Sequence, residues 1–223
     1  MAAIVVTLVA VAVMAAHQVV HVRRVRQDRR ALLAGVESLF DDAQITQDGI
    51  GYPRLTGVRD GMRVKVELLA DSIALRQLPR LWLLVSVLRP VRVGAPVDVL
   101  LRPQPTDIVS PAERFAYEHA APVGWPDHVR VATPSPASPD FEAFDVVAAL
   151  LHEPTTKDVL VGPGGVRIVH ELSRGEVGHW RLVRRPKFTV ALPDERVEDL
   201  IDAAVRLAAR FELQPRVVVA PGS

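Results

Sequence analysis

A chain of 223 residues with 49% hydrophobic residues is long enough to bury a sizeable core. Its 27 Lys and Arg against 26 Asp and Glu lack the basic excess of a nucleic-acid-binding protein, so no nucleic acid is expected. It has no cysteine, which excludes disulfides, thiol catalysis, thiolate zinc sites and cysteine-ligated iron–sulfur clusters, and is compatible with a reducing compartment.

The first stretch dominates the reading. Met1–Val22 carries no Asp, Glu, Lys or Arg, and Arg23, Arg24, Arg26, Arg29 and Arg30 follow at once. As a helix, those residues span roughly 33 Å, enough for a hydrocarbon core of about 30 Å. Ile4, Val5, Val6, Leu8, Val9, Val11, Val13 and Met14 supply side chains that prefer lipid to water, and Thr7 can bond a carbonyl one turn back. His17, Gln18 and His21 are polar and suit the headgroup level. The arginines can meet anionic headgroups, and by the positive-inside rule they place the following domain in the cytoplasm, the N-terminal side carrying only the α-amine. This predicts a cell-membrane protein with a single-pass anchor and the lipid bilayer as partner.

Three rivals stand beside the anchor. Val13-Met14-Ala15 offers a cleavage site for a secretory signal, which would make the domain exported or periplasm-facing, but Met1-Ala2-Ala3 gives no positive n-region. A buried core helix is the second. A helix lying in the interface plane needs a charged face, and Met1–Ala16 has none.

The remainder predicts one α+β domain. Residues 23–50 form a juxtamembrane helix and linker: Leu32, Leu33, Val36, Leu39 and Phe40 continue a helical stripe, and the polar run Asp41–Gly51 ends it. The domain itself covers 51–213, with a tail at 214–223. Arg54–Val58 and Met62–Leu69 alternate around Asp60-Gly61 as a β-hairpin. Asp71–Arg80 carries no clear period. Leu81–Leu88 is an apolar run read as a central strand, and Val97–Leu101 is expected to pair back with it across Gly94–Pro96.

Residues 103–140 form an irregular, proline-rich insertion. Ser110-Pro111 opens a short helix there through Tyr117, and His128–Ala132 is a candidate strand. Ser138-Pro139-Asp140 starts a helix with Phe141, Phe144, Val147, Ala148 and Leu151 on one face, and Pro154 stops it. Asp158–Val161 and Val166–Leu172 flank Gly162-Pro163-Gly164-Gly165 as a second hairpin. Val177–Val183 and Lys187–Leu192 follow, split by Arg184-Arg185-Pro186. The last helix is capped by Asp194 and carries Val197, Leu200, Ile201, Ala204, Ala208 and Phe211 as its stripe. The expected architecture is a transmembrane helix followed by antiparallel hairpins, with helices packed on one face.

No residue pattern assigns chemistry. The one glycine-rich loop lacks the Gly-Lys-Ser/Thr ending of a phosphate loop and precedes a strand pattern, so a turn is the reading. His119, His128, His152, His170 and His179 show no metal-ligand spacing. No serine sits in a nucleophile elbow or a Ser-x-x-Lys, and the carboxylates are scattered, most of them expected to be solvated. Arg181, Arg184, Arg185 and Lys187 beside Trp180 and Phe188 form a basic group best read as a solvated hairpin tip. No cofactor or metal is expected, and catalytic residues stay unassigned. The arginine-, alanine-, valine- and proline-rich composition fits a GC-rich genome, and the layout resembles bacterial proteins with one N-terminal anchor and a small α+β domain, a likeness of arrangement without a shared motif.

Three functions fit this reading. The first is a membrane-tethered module binding a protein partner through its sheet face or an edge strand. The second is an enzyme or small-ligand-binding protein acting on a membrane-associated substrate, with Tyr117, His119, Trp125 and His128 lining a site in the proline-rich stretch. The third is a structural subunit of an envelope complex.

Overall fold

The computed structural model describes residues 2–71, 78–105, 107–175, 188, 190 and 192–211. Helix α1 covers Ala2–Ala31. Nine strands then form one sheet: β1 (Asp41–Thr46), β2 (Arg54–Arg59), β3 (Met62–Asp71), β4 (Arg80–Val87), β5 (Val97–Leu101), β6 (Tyr117–His119), β7 (Val129–Thr133), β8 (Thr156–Gly162) and β9 (Gly165–Arg174). Helix α2 is Ala148–His152 and α3 is Asp194–Arg210. The fold is α+β, and the strand order is β1-β2-β3-β4-β9-β8-β5-β7-β6 with every pairing antiparallel.

Both expected hairpins form. Asp60 (φ 51°) and Gly61 (φ 71°) turn β2 into β3 with two left-handed residues in succession, the conformation that matches strand twist. The glycine-rich loop turns β8 into β9, pairing Gly162 with Gly165. Strand β4 lies inside the sheet and is apolar on both faces for that reason. Leu81, Leu83, Val85 and Val87 enter the main core, and Trp82 enters a smaller cluster on the other side with Val109 and Val169. Helix α3 packs on β4 and β9, and Val197, Leu200, Ile201, Ala204 and Ala208 of its stripe are buried with Leu207. The helix begins at Asp194 with Pro193 in the cap position, so Asp194 acts in the first turn rather than as the cap.

The structure corrects several expectations. Strand β5 does not pair with β4; it lies between β8 and β7. The β8–β9 hairpin occupies the place beside β4, and the connection 88–96 crosses its turn, where the Val91 N–H donates to the Pro163 carbonyl at 3.3 Å. Pairing of β4 with β9 over eight registered positions is a long-range choice that no local signal carries. The polar run after Phe40 is strand β1, exposed at all but one position, because an edge strand can be held by backbone pairing to β2 without an apolar face. Past Ala31 the α-helix gives way to turns and a 3₁₀ segment, Val36–Leu39. Of the two proline-marked helices, the first is only a 3₁₀ turn at Ala112–Arg114, whereas the second covers the expected span, a 3₁₀ segment at Glu142–Val147 continuing into α2. The strand expected at 177–183, the tail from 214 and half of the strand expected at 187–192 lie outside the described residues; of the latter, Phe188, Val190 and Leu192 pack against the core.

Candidate functional site

Three regions gather polar chemistry or unpartnered apolar surface, and the largest is α1. Its apolar window has a mean hydropathy of 2.3 and none of it is buried in the globule. Ile4, Val5, Val6, Leu8, Val9, Val11, Val13 and Met14 are each 53–68% exposed, a continuous apolar surface far beyond what a soluble domain presents. The Thr7 hydroxyl donates to the Ala3 carbonyl at 2.9 Å, removing its cost in hydrocarbon. Arg23, Arg24, Arg26 and Arg30 project outward. Arg29 alone of the five turns to the domain, placing its guanidinium 4.4 Å over the Tyr52 ring and donating to the Ile50 carbonyl. The chain from Ala31 to Phe40 is then a run of hydrogen-bonded turns with Leu33 and Val36 fully buried, so α1 is joined to the sheet without a free linker.

The second region is an open cleft of about 460 Å³ at the end of the sheet where β5, β6 and β7 meet. Arg102, Gln104, Glu118, Asp127, His128 and Arg130 contribute to its wall. Arg102 holds a left-handed backbone (φ 47°), unusual for a residue with a side chain. Its N–H donates to the His128 carbonyl at 2.6 Å and its guanidinium bonds the Thr156 carbonyl. Burial lowers the Arg102 pKa. Arg130 pairs with Glu118 at 3.1 Å.

Of the four residues expected to line a site in the proline-rich stretch, only His128 reaches this cleft. Trp125 packs edge-on against Phe141 and Phe144 at 5.7 and 5.8 Å, beside the core. The other histidines diverge: His119 meets the Ser135 carbonyl, His152 the Gly124 carbonyl, and His170 the Arg196 guanidinium. His179 and the basic group at Arg181, Arg184, Arg185 and Lys187 lie outside the described residues. Among the described residues, no three His, Asp or Glu side chains converge as metal ligands would.

The third region holds the exceptions to the expectation that most carboxylates are solvated. Asp98 and Asp158 have no exposed surface. The Ser110 hydroxyl donates to Asp98 at 2.5 Å, and Arg167 donates to Asp158 at 3.1 Å and to the Val109 carbonyl at 2.5 Å. Burial raises the pKa of both acids, and for Asp158 the Asp98 charge adds to it. Close by, buried Lys157 donates to Asp107 and to the carbonyls of Leu101 and Arg102. The signal in the sequence was Val97-Asp98-Val99-Leu100-Leu101: a charge inside a strand whose two faces are otherwise apolar.

No protein-family model matches this chain, and no curated protein or solved structure matches it.

Proposed function

We propose that this is a single-pass membrane protein whose α+β domain serves as a membrane-tethered protein-interaction module on the cytoplasmic face. The observation that carries the reading is the apolar window of α1, which lies wholly outside the globule. A core helix would be buried. A cleavable signal would have no reason to run unbroken into an arginine-bearing last turn that docks on Tyr52 and Ile50. The arginines after the apolar window favour the cytoplasmic side.

The open edge of the sheet supports the interaction role. Strand β1 is exposed along nearly its full length and carries Asp41 and Asp42, so an added strand with basic flanks suits it. Tethering raises the local concentration of the module for a partner at the same surface. Carbonate washing of membranes carrying the full chain tests the anchor: the protein stays in the pellet at its full mass, and release into the supernatant rejects the tether. A photo-crosslinker at Gln44 tests the edge: one recurrent protein adduct is expected, absent when the probe is moved to Asp60.

A second reading rests on the cleft at Arg102 and His128, which lies in the stretch where a small-ligand site was expected. Its mixed charges suit a small ligand with both an anionic and a cationic group. Native mass spectrometry of the solubilised chain with zwitterionic metabolites tests it, with binding lost on Arg130→Ala.

A further inference from the structure

The β1–β2 loop is tied to α1 in a way a merely connecting loop is not. The Gln47 side-chain amide donates to the Arg26 carbonyl at 3.2 Å and to the Gly51 carbonyl at 2.8 Å. Arg29 bonds the Ile50 carbonyl and covers Tyr52. Gly49 takes a left-handed backbone (φ 54°), and Ile50 beside it is 49% exposed, a large aliphatic side chain at a loop tip. On the same stretch of α1, Arg23, Arg24, Arg26 and Arg30 are exposed, none with an ion pair among the described residues.

The helix fixes the height of this loop. Arg26 lies four residues past Val22 and Arg29 seven, which at about 1.5 Å per residue is about 6 and about 10 Å beyond the apolar window. A headgroup layer occupies about 5–7 Å on each side of the hydrocarbon core, and a helix tilt of about 20° brings the loop nearer still. With α1 tilted toward the loop side, these heights bring the loop down to the outer part of the headgroup layer.

We propose that the β1–β2 loop, residues 47–53, is a second membrane contact, resting on anionic phospholipid headgroups of the leaflet from which α1 emerges. Ile50 enters the headgroup layer, and Arg23, Arg24, Arg26 and Arg30 pair with lipid phosphates. The domain is thereby seated on the bilayer in one orientation instead of swinging from its tether. This rests on the anchor reading, and the two separate experimentally.

The cysteine-free sequence permits single labels in the full chain. Three variants, Val9→Cys, Ile50→Cys and Asp60→Cys, each carry an environment-sensitive fluorophore in vesicles of phosphatidylcholine and phosphatidylglycerol. Asp60 lies at the far end of β2, about 20 Å away along the strand. The expected result is quenching of the Val9→Cys label by acyl-chain nitroxides. The Ile50→Cys label is quenched by headgroup nitroxides several-fold more than the Asp60→Cys label. Replacing Arg23, Arg24, Arg26 and Arg30 by Gln, or using phosphatidylcholine alone, brings the Ile50→Cys signal down to the Asp60→Cys level while Val9→Cys stays quenched. A quenched Val9→Cys label with Ile50→Cys no different from Asp60→Cys overturns the seating and leaves the anchor standing. Ile50→Cys quenching that ignores lipid charge and the arginines overturns the anionic-lipid contact. An unquenched Val9→Cys label overturns the anchor and the seating with it.

Discussion

Asp98 on β5 and Asp158 on β8 stand as a diagonal pair on one face of adjacent antiparallel strands, both sealed from water. The two carboxyls are close enough to shift one another's pKa, and among the described residues each has one buried oxygen without a donor. A single proton shared between them would satisfy both oxygens; Arg167 supplies a balancing positive charge to Asp158, and the Ser110 hydroxyl donates to Asp98.

The pH dependence of that pair follows from the raised pKa. The folded state keeps a proton that the unfolded chain releases near the ordinary aspartate value, so the stabilisation is present at low pH and is lost as pH rises through the folded value. Asp158→Asn supplies a permanent donor in place of the proton. The variant is expected to be more stable than the parent by about 1–2 kcal/mol at pH 8 and to lose that advantage toward pH 4. Urea melts of the solubilised full chain at several pH values measure this; parallel pH profiles would sink the shared-proton account.

His170 acts in the opposite sense. Burial, with Arg196 beside it, lowers its pKa to about 4, and Glu171 offsets this only in part. The unfolded chain takes up a proton near 6.5 and the folded one does not, so stability present above about 6.5 falls as pH drops toward about 4, by up to about 3 kcal/mol. His170→Asn keeps an acceptor for Arg196 and removes the titration. The variant is expected to lack this contribution, so its stability falls less than the parent's between about pH 6.5 and 4 in thermal melts.

Lys157 offers a test of buried charge. It is 3% exposed and its ammonium is shared among Asp107 and two backbone carbonyls. Burial lowers its pKa, opposed by Asp107. Lys157→Ala leaves Asp107 buried without its cation and is expected to cost about 3–5 kcal/mol, whereas Lys157→Met with Asp107→Leu recovers most of that loss. A double variant as unstable as the single one would show that the pair contributes more than mutual neutralisation.

Gly165 is required by contact as well as by conformation. With φ 136°, a Cβ there would stand 1.9 Å from the Val87 carbonyl oxygen. Gly165→Ala must push β9 off β4 and is expected to cost more than about 3 kcal/mol. Gly61→Ala meets nothing within 4 Å, and only its left-handed backbone resists, at about 1 kcal/mol. The difference between their denaturant midpoints checks the assignment.

The elements legible in the sequence were those whose physics is local. Asp60-Gly61 and Gly162–Gly165 carry their turns in their own residues, and the stripe from Val197 to Ala208 needs only one core to face. Strands β1 and β6 escaped notice because edge pairing makes no demand on side-chain pattern. The buried acids escaped because solvation is the default for aspartate, and only the tertiary wrapping of Ser110 and Arg167 around Asp98 and Asp158 reverses it.

The α1 apolar window, its length and the arginines that follow were settled by residue type alone, since helix rise and transfer from water belong to the segment itself. Which strand lies beside β4, how the two acids come to be buried side by side, and how Gln47, Ile50 and Tyr52 fasten the helix to the sheet were decided only on folding. Each of these brings together residues many positions apart, and their pairing is chosen by the energy of the whole packed sheet rather than by any stretch of chain.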